Sequence, residues 1–187
     1  MRRILFLFLI FSQFVQAQDT SSNERKNELR VDALSLIASG KWNLSYERFL
    51  NNDFSVGVTG SFSNSDKINE DYDRGFRNNS PKYEVIPFVR YALSKSPMSF
   101  YFAEVFVAAN GGNSREIVRV EDGAAGFYDI QESEYTDVAI GGGLGYKFYF
   151  KEKFGIEFLV GFGSNLIDKS KSPDVVPRVG LSFGYRF

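Results

Sequence analysis

The sequence predicts an all-β protein: a closed, antiparallel, up-and-down transmembrane β-barrel of eight strands. Three observations point there. Stretches of alternating apolar and polar residues recur from residue 27 to the end, and the connections between them alternate between tight turns and long polar loops. The chain is also rich in aromatic residues (17%) and glycine (17 residues), with no cysteine or histidine. Successive side chains leave a strand on opposite sides, so period-two alternation marks a strand with one face turned to an apolar medium. A mean hydropathy of -0.22 fits a barrel that shows lipid only every second residue.

Residues 1–17 read as a secretory signal peptide. Arg2 and Arg3 precede the apolar run 4–11, and Val15-Gln16-Ala17 has the small-residue pattern at which signal peptidase cuts. The run is far shorter than the ~20 residues a spanning helix needs. Residues 18–26 form a polar N-terminal segment, and the barrel domain is expected over 27–187.

The first strand places Leu29, Val31 and Ala33 on its apolar face, and the second Trp42, Leu44 and Tyr46. In the third, Phe54, Val56, Val58 and Phe62 alternate with Ser55, Gly57, Thr59 and Ser61. The fourth and fifth carry Tyr83, Val85, Val89, Tyr91 and Tyr101, Ala103, Val105, Val107. The last three carry Val138 to Phe148, Phe154 to Phe162 and Val179 to Phe187 in the same rhythm. Residues 50–53, 94–98 and 151–153 are tight turns, whereas 64–81, 111–135 and 166–174 are long and polar; 38–41 is a short exception on the long-loop side. This order puts all long loops at one end. Phe49, Phe54, Tyr91, Phe148, Phe150, Phe154, Tyr185 and Phe187 gather at the other, as an interfacial girdle.

Over about 27–187 this pattern resembles the OmpA/OmpX-type outer-membrane barrels and the wider family of eight-stranded bacterial outer-membrane barrel domains. The most specific parts are the hairpin Tyr46-Glu47-Arg48-Phe49 through Phe54-Ser55-Val56-Gly57 and the final strand Val179-Gly180-Leu181-Ser182-Phe183-Gly184-Tyr185-Arg186-Phe187. The resemblance implies an outer-membrane location with periplasmic termini and outer-membrane lipids around the wall. It also implies recognition of the last strand, through Phe183, Tyr185 and Phe187, by the barrel-assembly machinery.

Composition narrows the chemistry. With 22 basic against 23 acidic residues and a pI of 5.6, a nucleic-acid partner is not expected. Without histidine or cysteine there is no triad, thiol nucleophile or usual zinc site, so no enzyme and no cofactor are expected. Gly141-Gly142-Gly143-Leu144-Gly145 is followed by more strand, not by the helix a phosphate loop needs. Asn69-Glu70-Asp71-Tyr72-Asp73 starts like a calcium loop, but Arg74 and Ser80 occupy the glycine and bidentate-glutamate positions, so a solvated acidic loop is the expectation.

The polar faces carry Glu28, Arg30, Asp32, Glu47, Glu84, Arg90, Glu104, Lys147, Glu157, Arg178 and Arg186, together with Asp137. Both signs are interspersed, and a narrow lumen demands that buried charges be paired, so these are expected to form an interior ion-pair core. Strands six to eight turn glycines inward, Gly141, Gly143, Gly145, Gly161, Gly163, Gly180 and Gly184, while strands four and five turn in Ile86, Phe88, Phe100, Phe102 and Phe106. These bulky side chains are expected to cross the lumen toward the bare wall. Gly111-Gly112-Asn113 is expected to bulge or bend strand five. Beyond it, Ile117, Val118, Val120, Phe127, Tyr128 and Ile130 flank the turn cluster at Glu121-Asp122-Gly123 and predict a paired ribbon. Its free strand edge would suit an extracellular protein or glycan partner. The functional expectation is a non-enzymatic barrel, structural or ligand-binding through its long loops; a narrow porin-like conductor and a soluble lipocalin-like carrier are the alternatives.

Overall fold

The computed structural model describes residues 25–187 apart from 64, 95, 97, 123 and 124. The expected signal peptide and most of the 18–26 segment lie outside the described residues. Strands β1 (Asn27–Asp32), β2 (Lys41–Phe49), β3 (Phe54–Ser63), β4 (Asn79–Ala92), β5 (Ser99–Asp122), β6 (Ala125–Phe150), β7 (Phe154–Asn165) and β8 (Val175–Arg186) each pair antiparallel with their sequence neighbours. β8 returns to pair with β1, Glu28 opposite Arg186 and Asp32 opposite Ser182, so the sheet closes on itself. Two further backbone bonds between Asn27 and Phe187 extend this seam to the last residue.

The outer wall is apolar, and the lumen takes polar side chains and glycines together with bulky residues of β4 and β5 such as Ile86, Phe88, Phe102 and Phe106. Leu44, Phe62, Val105, Leu144, Phe158 and Phe183 are exposed on the outer wall, whereas Glu28, Glu47, Glu104 and Lys147 are sealed inside. This inverts the arrangement of a soluble carrier barrel and sets that alternative aside. At the short-turn end, Phe54–Tyr91, Tyr101–Tyr146, Phe148–Phe150 and Phe154–Tyr185 ring pairs form an outer aromatic rim. Phe49 is not part of it. It shares parity with Glu47 on β2 and turns inward, where the Arg186 guanidinium lies over its ring at 4.2 Å.

The long-loop end departs from the sequence expectation in three places. β1 stops at Asp32, and Ala33 opens helix α1 (Ala33–Ser39) instead of continuing the strand. Asp32 caps that helix, its side chain accepting from the Leu34 and Ser35 amides, and Gly40 ends it with φ +61°, a left-handed conformation that costs glycine little. The 64–81 stretch holds helix α2 (Asp66–Asp73), capped by Ser65, so the calcium-like residues 69–73 are helical rather than loop. β5 runs unbroken through Gly111-Gly112-Asn113; the irregularity falls opposite, on β4 between Pro81 and Tyr83. The glycines still matter there, since a Cβ at Gly111 would collide with the Tyr83 side chain and one at Gly112 with the β4 backbone.

Candidate functional site

The lumen is filled from wall to wall by one ion-pair network. Lys147 Nζ lies 3.1 Å from Glu28, 2.8 Å from Glu47 and 3.0 Å from Glu157. Arg30 contacts the same three carboxylates. Arg90 donates to Glu47 (2.9 Å), Glu104 (2.7 Å) and, through two nitrogens, Glu157 (2.7 and 2.9 Å). Arg178 completes the chain on Glu104. Four glutamates thus meet three arginines and one lysine, and the network is neutral. Seven strands supply its charges; β3 adds hydroxyls, Ser55 donating to Glu47 and Thr59 accepting from Arg178. Tyr149, buried on β6, donates to Glu28.

Ligand atoms of Glu28, Glu47 and Glu157 lie within 4.8 Å of one another, a spacing that suits a metal ion. The Lys147 ammonium, in contact with all three, stands where such an ion would sit. Burial of these groups is tolerable only because each carboxylate meets several donors. Phe88 and Phe102 cover the Arg90 guanidinium, their ring centres 4.5 and 4.3 Å away.

Phe88, Phe102 and Phe106 turn inward as expected, and the last two meet glycines of β6, but each packs first on an adjacent strand rather than across the lumen. Phe88 is paired with Gly57, Phe102 with Gly145 and Phe106 with Gly141, each pair on adjacent strands. A Cβ at any of these glycines would strike the facing ring. The rings therefore lie flat along the wall over the neighbouring glycine, which leaves the lumen axis to the charged side chains. Phe106 alone reaches one strand further, to within 3.1 Å of the Cβ position at Gly163.

Four of the expected core residues sit outside this network. Asp32 serves as helix cap and also accepts from Asn43 and from the Leu181 amide. Glu84 pairs with Lys41, a partner absent from the sequence expectation because Lys41 opens its strand. Arg186 donates from Nε to the Arg25 carbonyl and stacks on Phe49 and Tyr149. Asp137 lies at the long-loop rim and holds a loop: it accepts from the amides of Leu166 (3.2 Å), Ile167 (2.9 Å) and Asp168 (2.8 Å), and from the Ser172 hydroxyl (2.6 Å). Burial pushes its carboxyl up, but the bonds from Ser172 and from the Ile167, Asp168 and Val138 amides outweigh that and hold it at about 2.

Above the rim, β5 and β6 continue as a two-stranded ribbon. β4 last pairs with β5 at Ser114, and β7 last pairs with β6 at Ala139, yet β5 and β6 pair with each other up to Asp122 opposite Ala125. Register divides the six expected residues between two faces. Ile117 faces Ile130, with Tyr128 beside them, on the face that continues the outer wall; Val118, Val120 and Phe127 share the other. Ile117 and Tyr128 are 69% and 74% exposed. At the base, Arg115 pairs with Glu132 at 3.0 Å and lies 4.8 Å over the buried Tyr72 of α2.

A closed barrel of eight strands with an apolar outer wall and a charge-filled lumen defines the class of small outer-membrane barrels. The chain belongs to the family described as Protein of unknown function (DUF3575), which matches residues 3–174. It is similar to the N-terminal β-barrel domain of Pseudomonas aeruginosa OprF, with a TM-score of 0.53 and 12% identity over 87% of this chain and 96% of that one. At that identity the likeness shows the fold alone. Neisserial surface protein A (TM-score 0.43, 12% identity, 86% and 92% covered) and Yersinia pestis Ail (0.43, 14%, 88% and 100%) are also similar. No curated protein sequence matches the chain significantly.

Proposed function

We propose that this chain is a non-enzymatic outer-membrane barrel, exported by a signal peptide at 1–17, whose wall anchors the β5–β6 ribbon outside the cell as a binding surface. The ribbon carries the reading: it rises past the last pairing of either neighbour strand and keeps apolar side chains on both faces. Large apolar side chains held in solvent by a built scaffold are a recurrent mark of partner surfaces. The fitting partner is an extracellular protein that adds an extended segment to an open edge, or a glycan stacked on Tyr128. The outer wall supports membrane residence with outer-membrane lipids as its surroundings, and Phe183, Tyr185 and Phe187, aligned on the outer face of β8, support handling by the barrel-assembly machinery. The neutral ion-pair network packed across the lumen favours a closed wall over a conductor.

The deciding experiment compares the intact barrel with one in which 115–132 is replaced by a tight turn. Both are extracted in detergent and checked for heat-modifiable gel mobility, then offered to immobilised extracellular proteins and glycans. Capture by the intact protein alone supports the reading; equal behaviour of the two, or steady conductance in planar bilayers, overturns it.

A further inference from the structure

The lumen is not filled along its whole length. Below the ion-pair network, at the short-turn end, it opens into a cup of about 560 Å³, lined by Phe49, Phe100 and Phe102, by hydroxyls such as Ser55 and Ser94, and by Arg25 and Arg186. That volume lies within the range of small-molecule sites, which combine an apolar lining with a few placed polar groups. Arg90 forms part of the floor, but its nitrogens are taken up by Glu47, Glu104 and Glu157. Arg186 differs. Its guanidinium is held between the rings of Phe49 at 4.2 Å and Tyr149 at 5.3 Å, and its Nε is fixed by the Arg25 carbonyl. Among the described residues, its two terminal nitrogens have no hydrogen-bond partner and no carboxylate within ion-pair distance.

A stacked, pre-oriented guanidinium with free terminal donors is the arrangement that receives a carboxylate, because little side-chain freedom is left to lose on binding. We propose that the cup binds a monoanion with an apolar body, a carboxylate carried on an aromatic or hydrocarbon group. Arg186 takes the anion, and Phe49, Phe100 and Phe102 take the body. Glu152 also lines the cup, so a second negative charge on the ligand would meet a carboxylate. The nearby Arg25–Glu152 pair, 3.9 Å apart and well exposed, is weak enough to rearrange around a ligand. Under the proposed orientation this site faces the periplasm, at the opposite end from the ribbon.

The test uses the full mature chain, refolded into lipid nanodiscs, with 3-phenylpropionate as probe and 3-phenylpropan-1-ol as its neutral twin. Binding is followed by NMR on the Arg186 Nε–H and the Phe49 ring. The expected result is saturable binding of the carboxylate, at least tenfold weaker for the alcohol, for Arg186→Gln and for Ala92→Trp, which fills the cup from β4 across the barrel. Folding of each variant is read from gel mobility; if Arg186→Gln fails to fold, Ala92→Trp and Arg186→Lys decide. Equal uptake of acid and alcohol, or binding unchanged in the folded variants, would be partition into lipid and would overturn the site. Neither outcome touches the ribbon, so the two readings fail separately.

Discussion

Asp137 anchors the 166–172 loop through a single carboxylate that gathers three consecutive backbone amides and a hydroxyl. Its carboxyl is held at about 2, below the ordinary 3.8. A depressed folded-state pKa gives stability that is complete above the unfolded value and is lost as pH falls through the folded one. The loop clasp should therefore be intact above roughly pH 4 and fail as pH drops toward 2. Asp137→Asn should show the same release at neutral pH, with Ile167 and Asp168 amides exchanging about tenfold faster, the equivalent of ~1.4 kcal/mol. Unchanged exchange in that variant would mean the loop is held by something else. Lys147 makes the opposite case, a cation serving three acids. Lys147→Met leaves Glu28, Glu47 and Glu157 to share Arg30 and Arg90 in a buried network one positive charge short, and should lower the unfolding free energy by about 3–5 kcal/mol in urea titrations. A loss under 1 kcal/mol would mean that water already shields those carboxylates.

At the scale of strands, glycine position decides what a methyl group does. A Cβ at Gly143 would sit 2.9 Å from the Val160 carbonyl oxygen and 3.0 Å from the Gly161 Cα, both backbone, whereas one at Gly60 meets nothing within 4 Å. Gly143→Ala should cost about 1–3 kcal/mol and Gly60→Ala less than ~0.5; equal costs would undo the assigned faces. In the ribbon, the amides of Val118 and Val120 should exchange well below free-peptide rates in detergent: Arg115 donates toward β4, so the even positions of β5 turn their N–H groups to β6. Free-peptide exchange there would remove the scaffold from under the proposed surface. The strands and their faces were legible because a one-residue slip would turn every lipid-facing side chain inward. The same parity placed Phe49 inside, which grouping aromatics by sequence position alone concealed. Helix α1 carried readable signals, Asp32 and Gly40 on either side of Ala-Leu-Ser-Leu-Ile-Ala-Ser, but Ala33 continued the period of the strand and masked them. Which inward charges would meet was not legible. Lys147 and Glu28 are 119 positions apart, and their contact depends on strand stagger, which alternation does not encode.

For the whole molecule, the last residue closes the wall. Phe187 exchanges both backbone bonds with Asn27, while its ring stacks beside Tyr185 on the outer face. Deleting Phe187 should reduce arrival in the outer membrane of cells far more than it lowers the stability of protein refolded in vitro; normal membrane levels would refute an assembly role for this residue. The ion-pair network, finally, constrains the order of events in folding. Its contacts join β1 to β6 and β2 to β6 across 119 and 100 positions of sequence, so they form only when distant parts of the wall have met. Contacts of such separation make folding slow. They also make an open sheet costly on one side: without β8 the network lacks Arg178, Glu104 keeps Arg90 as its counter-ion, and the lumen is one positive charge short. Docking of β8 against β1 thus completes the charge balance of the interior through Arg178 in the same contact that seals the cylinder.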